Sequence, residues 1–242
     1  MIATFLLEGF LLTLRRPDAV LNRLIYTVIA NIIIGIVLSL YSARYMKETS
    51  NVSNEDFGFR NIKNTIITVL IGVGTGFVFY LFQNPPSLNP IVILNAYAQV
   101  LLVSIAEILV CWMLVGNIAE KLLENRGKWI SKILPFVISS AFFGIYHFAH
   151  SPPFNTTQMV LFLTLIGMIT SIFYYIVKNI YATIVFHNFM GITGVLTALE
   201  AAGTLEIYRV IQFPLFITAG IGIAILLTFD FLWIRKTHTN EA

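Results

Sequence analysis

Four ionisable residues stand inside long apolar stretches of this chain: Glu107, His147, His187 and Asp230. Placing an ionised side chain at mid-membrane costs about 3 kcal/mol or more, so such a residue usually faces the interior of a bundle and has a task there. Counted from the ends of their apolar stretches at about 1.5 Å per residue, Glu107, His147 and His187 lie about 14, 21 and 11 Å deep. The hydrocarbon core is about 30 Å thick, so all three sit near its middle. Three polar groups on three helices at similar depth can converge. One carboxylate and two imidazoles make either a water-activating site or a metal site. Taken singly, a histidine in a span can simply hydrogen-bond a neighbouring helix, with the glutamate as its partner. The coincidence of three at one depth favours a site. Asp230 stands little more than one turn from Arg235 and Lys236 and reads as an interfacial charge at a span end.

The remaining candidates carry less chemistry. His150 follows His147 by three residues, on the same helix face, and falls at the membrane edge before Ser151-Pro152-Pro153. It reads as an interfacial histidine. Cys111 follows Glu107 by four residues. A reactive thiolate needs an electropositive setting, so a neighbouring carboxylate argues for inert packing. With one cysteine, no intrachain disulfide can form. The 20 Phe and 10 Tyr are assigned to spans and interfaces. The sequence contains no HExxH, GxGxxG, P-loop or CxxC motif.

The elements that must position these residues follow from composition. Of 242 residues, 57% are hydrophobic and 11% charged, with a mean hydropathy of +0.83. Soluble domains carry roughly 25% charged residues, so this chain cannot cover a water-facing surface. It is expected to be all-α: a polytopic transmembrane helical bundle, in one integral membrane domain over residues 1–242. A span needs about 20 apolar residues. Seven are predicted, at residues 24–41, 64–82, 91–116, 133–149, 157–177, 180–199 and 210–234. Residues 1–23 precede them. Met1–Leu14 is too short to cross and lacks a basic leader and a small-residue cleavage site. Thr4, Glu8 and Arg15 share one face of it at helical spacing, which predicts a helix lying in the membrane interface, with a re-entrant piece as the alternative.

Basic residues set the expected orientation, because Lys and Arg collect on the cytoplasmic side. Residues 42–63 carry Arg44, Lys47, Arg60 and Lys63, and residues 117–132 carry Lys121, Arg126, Lys128 and Lys132. Together with Lys178, Arg235 and Lys236 they place those linkers and the C-terminus in the cytoplasm. Arg15, Arg16 and Arg23 then fall outside, against the rule. The expected location is the plasma membrane of a prokaryote.

Several segments resemble the CPBP intramembrane proteases, also called the Abi or type II CAAX prenyl endopeptidase family. The run Ser139-Ser140-Ala141-Phe142-Phe143-Gly144-Ile145-Tyr146-His147 is similar to its second motif, FxxxH, matched by Phe143 and His147. The stretch from Asn179 to His187-Asn188-Phe189-Met190-Gly191 resembles the third motif, with Gly191 where the family has Asn or Asp. Ala106-Glu107-Ile108 through Trp112 occupies the place of the first motif, EExxxR, with one glutamate of the pair. Read with Glu107 first, Ile108 replaces the second glutamate and Trp112 the arginine; read with Glu107 second, Ala106 and Cys111 stand at the other places. Phe57-Gly58-Phe59-Arg60 also resembles a family segment leading into a helix. Order and spacing agree over residues 57–200.

The resemblance implies a glutamate-type intramembrane endopeptidase. Glu107 would activate water, His147 would help hold it, and His187 would donate to the oxyanion. Asn188, one position past His187 and about 100° around the helix, would line the cavity. The expected partners are membrane lipid and a membrane-proximal protein or peptide substrate, with no nucleic acid. No cofactor is expected. The alternatives are a non-catalytic relative with a binding, scaffolding or immunity role, a zinc enzyme with Glu107, His147 and His187 as ligands, and, more weakly, a transporter.

Overall fold

The computed structural model describes residues 1–13, 16, 19–49, 52–127 and 129–234, without the side chain of Trp233. Arg15, Lys128, Arg235 and Lys236 lie outside the described residues. Among the described residues every regular element is helical. A short helix α1 (Ile2–Thr4, running on as a π turn over Phe5–Gly9) precedes seven helices long and apolar enough to cross a membrane. These are α2 (Val20–Thr49), α3 (Ile62–Phe82), α4 (Pro90–Leu123), α5 (Ile130–Ala149), α6 (Thr157–Val177), α7 (Ile180–Ala201) and α8 (Phe213–Leu232). The chain is thus an integral membrane protein, and the seven predicted spans all occur. The largest differences are in length: α2 runs eight residues past Tyr41, and α4 runs seven past Gly116, so Arg44, Lys47 and Lys121 ride on helices.

Local chemistry starts most of these helices. Asn61, Asn89, Thr156 and Asn179 each accept a hydrogen bond from a backbone N–H in the first turn of α3, α4, α6 and α7, at 2.9, 2.9, 3.3 and 3.1 Å. Pro90 occupies the first position of α4, where its missing N–H is not needed. In hydrocarbon an unpaired N–H costs several kcal/mol, because no water can satisfy it, so such caps fix where each span begins.

Helices α4 and α7 form the centre, and α3 and α8 lie toward lipid. α3 packs along α7, α5 along α6, and α4 touches α2, α7 and α8. The α3–α7 contact depends on a small residue: a Cβ at Gly72 would lie 2.7 Å from the Ala182 carbonyl oxygen. Close backbone approach of this kind drives helix association where lipid removes the hydrophobic term. Trp112, Ile105, Ile108, Leu109 and Met113 of α4 are sealed among Ile180 and Phe186 of α7 and Phe143 of α5.

The turn between α6 and α7 is clamped from outside. Lys178 adopts a left-handed conformation (φ +45°). Its carbonyl accepts from Arg60 Nε at 2.9 Å, and Ile180 N–H donates to the Gly58 carbonyl at 2.9 Å. Gly58 has φ +84°, a conformation suited to glycine. The Phe57–Arg60 segment singled out in the sequence therefore fixes the start of α7, the helix that carries His187.

One expectation changes. Asp230, expected at the interface, is buried, and accepts a hydrogen bond from Tyr181 at 2.5 Å. A carboxylate with a donor from a facing helix has no need to reach the membrane edge. Helix α1 turns its polar face inward. Thr4 and Glu8 are buried, whereas Ile2 and Phe10 are 78% and 70% exposed. The apolar face is thus free to meet lipid, as in a helix lying at the membrane interface, while the polar face is matched by polar groups of the bundle.

Candidate active site

Glu107 is the last α-helical residue before α4 widens into a π-helical stretch, Ile108–Gly116. Such widening recurs at functional sites. The Glu107 side chain, 11% exposed, reaches two imidazoles. Its Oε2 lies 3.2 Å from His187 Nε2 on α7, and its Oε1 lies 3.6 Å from His147 Nε2 at the end of α5. The three groups expected to converge at mid-depth do converge.

Both rings are held from behind. His147 Nδ1 lies 2.8 Å from the Phe143 carbonyl oxygen. A carbonyl can only accept, so Nδ1 carries the proton and the Nε2 of the neutral ring presents a lone pair toward Glu107. His187 Nδ1 lies 2.9 Å from Thr170 Oγ1 on α6. The Thr170 hydroxyl hydrogen points at the Ile166 carbonyl, 3.1 Å away, which leaves Oγ1 to accept from His187 Nδ1–H. The 3.2 Å contact between His187 Nε2 and Glu107 Oε2 then requires a shared proton, since a bare carboxylate and a lone pair would repel. Each imidazole is thus held through Nδ1 and offers Nε2 to the same carboxylate, an orientation device familiar from acid–base sites.

Aromatic rings close the site. Phe143 lies 4.8 Å from the His147 ring and 5.1 Å from the His187 ring, and Trp112 lies 5.4 Å from His187. Trp112 donates through Nε1 to Ser171 Oγ at 2.7 Å, and Ser171 is bonded to Ser140 at 2.8 Å. Trp112, which takes the arginine position of the EExxxR pattern when Glu107 is read as the first glutamate, is therefore a wall with its one donor engaged elsewhere. Cys111 is buried, in line with a packing role.

Asn188 does not join the cluster by a hydrogen bond. Its Oδ1 accepts from Ser104 at 3.0 Å and its Nδ2 donates to the Tyr97 carbonyl at 3.0 Å. Both partners are on α4, three and ten residues before Glu107, so Asn188 ties α7 to the helix that carries the carboxylate. Among the described residues no three His, Cys, Asp or Glu side chains are arranged to hold a metal ion, and the zinc alternative gains no support from the geometry.

Sequence reasoning missed a second polar cluster beside the first. His150, expected at the interface, is 7% exposed. Its Nδ1 lies 3.1 Å from Oε2 of Glu8, which is wholly buried. Glu8 also accepts from Ser151 N–H at 2.8 Å and from the Ser151 hydroxyl. Burial pushes the Glu8 carboxyl up, but the hydrogen bonds from His150 and Ser151 outweigh it and hold the group below the usual glutamate range. The sequence signal was that Glu8 is the sole charge among residues 1–14. Thr170, Phe143 and Trp112 also escaped notice as supports of the site.

Fold and geometry define a helical membrane protein with a buried carboxylate between two oriented imidazoles. The family described as "Type II CAAX prenyl endopeptidase Rce1-like" matches residues 89–193. The chain resembles that family from the start of α4 to the middle of α7, a stretch that contains Glu107, His147, His187 and Asn188. The match supports a CAAX-type intramembrane protease kind and agrees with the resemblance carried by the motifs. No curated protein and no solved structure matches the chain.

Proposed function

We propose that the protein is an intramembrane endopeptidase of the glutamate type, cutting a membrane-proximal peptide. The observation that carries this reading is one carboxylate whose two oxygens lie 3.2 and 3.6 Å from imidazoles that are each anchored through Nδ1. The 3.6 Å gap at His147 is too long for a direct bond and suits a water that gives one hydrogen to Glu107 Oε1 and the other to His147 Nε2. Its lone pair is then free to attack. As the oxygen–carbon bond forms, Glu107 takes the water's proton. The tetrahedral oxyanion takes over the His187 Nε2–H that otherwise rests on Glu107. Collapse breaks the C–N bond, and Glu107 returns the proton to the leaving amine. Donors fixed in a low-dielectric site are worth far more than in water, because nothing need reorganise as charge develops. Asn188 acts here by holding α7 on α4. The proposal sets the enzyme in a prokaryotic plasma membrane, with its C-terminus on the cytoplasmic side by the placement of basic residues in the sequence.

The test is cleavage of a farnesylated CAAX peptide by purified protein, followed by mass spectrometry. Glu107→Gln is expected to lower the rate about 10²- to 10⁴-fold, the usual share of a general base, with unchanged thermal unfolding. Activity resistant to chelators, without stoichiometric zinc, is also expected. Wild-type rates in Glu107→Gln, His147→Ala and His187→Ala would sink the reading. The lack of an arginine at either candidate place, Trp112 or Cys111, favours a second one, a non-catalytic membrane protein. That reading requires no turnover and a stable partner whose capture survives Glu107→Gln.

A further inference from the structure

The Glu8–His150 pair lies against the site and has no part in the steps above. The His150 ring is stacked on His147, with centroids 5.3 Å apart and planes at 28°. Tyr146 and Tyr26 meet it edge-on at 5.2 and 6.2 Å. Glu8 fixes the ring from one side. A carboxylate only accepts, so His150 Nδ1 carries the proton toward it, while Ser151 takes up the other directions in which the carboxylate could turn. Helix α1 is itself keyed in place, since a Cβ at Gly9 would lie 2.3 Å from the Ala149 carbonyl oxygen. What this arrangement leaves is His150 Nε2, a buried acceptor with no partner in the protein. Buried polar atoms in native proteins are almost always paired, and an exception calls for an explanation.

We propose that His150 is a substrate-binding residue and Glu8 its positioning residue, with His150 Nε2 accepting an amide N–H of the peptide one or two residues from the bond that is cut. The spacing follows from geometry: an extended chain advances about 3.3–3.6 Å per residue, and the two imidazoles are 5.3 Å apart. In hydrocarbon a peptide N–H has no water to turn to, so an oriented acceptor at this point gives the substrate its register. The proposal rests on the peptidase reading.

The experiment uses the full chain in detergent micelles. The probes are a farnesylated CAAX peptide and depsipeptide analogues in which one amide flanking the scissile bond becomes an ester, losing its N–H with little change of shape. The wild type is expected to cleave one analogue about tenfold less efficiently than the amide, the effect of one hydrogen bond. His150→Leu is expected to lose about tenfold on the amide, mainly through KM, and to treat that analogue and the amide alike. His150→Gln, which keeps an acceptor, restores discrimination. Glu8→Gln weakens it. A purely structural role would lower activity on every probe equally. Discrimination that persists in His150→Leu, or a wild type blind to every ester, overturns the proposal and leaves the peptidase reading intact. A folded wild type that cleaves no probe overturns both.

Discussion

Replacing Thr170 by valine isolates one hydrogen bond behind the site. Valine has nearly the shape of threonine, so packing between α6 and α7 is kept, and the loss is the acceptor 2.9 Å from His187 Nδ1. Leaving a buried donor unpaired costs about 1–3 kcal/mol, whereas interhelical bonds in membranes average nearer 0.6 kcal/mol, about 1.7 at most, because displaced groups find other partners. Here the ring has little chance of a substitute. His187 is 4% exposed and lies between Trp112 and Phe143. The larger figure therefore applies. Without Thr170 the imidazole proton is no longer held on Nδ1, and the ring loses its fixed presentation to Glu107. A loss of 1.4 to 2.7 kcal/mol in transition-state stabilisation means about 10- to 100-fold in kcat/KM. The assay is initial rates on the farnesylated peptide, alongside thermal unfolding in the same detergent. Thr170→Ser keeps the hydroxyl and should stay within a few-fold of wild type. A valine variant with wild-type kcat/KM would refute the assignment of Thr170 as the partner that orients His187.

Three further outcomes follow from the structure. Trp112→Phe keeps the aromatic wall but loses the donor to Ser171, and should lower unfolding stability by about 1 kcal/mol. Gly72→Leu should destabilise by about 1–3 kcal/mol or more and loosen α3 from α7, read by hydrogen exchange, because the obstructing atom is a backbone oxygen rather than a movable side chain. Acid should loosen α1. The Glu8 carboxyl is held below its ordinary range in the folded protein, so its contribution is present above the unfolded value, about 4.3, and is lost as pH falls through the lowered one. Hydrogen exchange over residues 5–9 should lose protection in that window, and Glu8→Gln should blunt the change.

Much of the bundle was legible because hydrocarbon imposes a simple rule on the chain: about 20 apolar residues to a span, with punctuation between. Asn61, Asn89, Thr156 and Asn179 sit at those breaks and cap the helices that follow. Glu107, His147 and His187 stood out for the same reason, as rare ionisable groups at one depth. The misread residues lie at the edges of that rule. Glu8, His150 and Asp230 are near helix ends, where a charge can equally meet water or fold inward. The partner decides, and Ser151 is 143 residues from Glu8, beyond any local pattern. Thr170 was invisible because a threonine in a span usually bonds its own helix. This one does so with Ile166, and its second function appears only when α7 is laid against it.

The inward polar face of α1 has a consequence for synthesis. Helix α1 emerges before α2 to α8, yet Glu8's docking partners, His150 and Ser151, come 142 and 143 residues after it in the chain. At about 5–20 residues per second, α1 must wait on the order of ten seconds, with Glu8 uncovered, until α5 is inserted. During that interval its apolar side can rest on the lipid surface and its carboxylate can remain hydrated. Docking then carries the carboxylate from water into the bundle as a late act of assembly, completed only after the fourth span has been threaded.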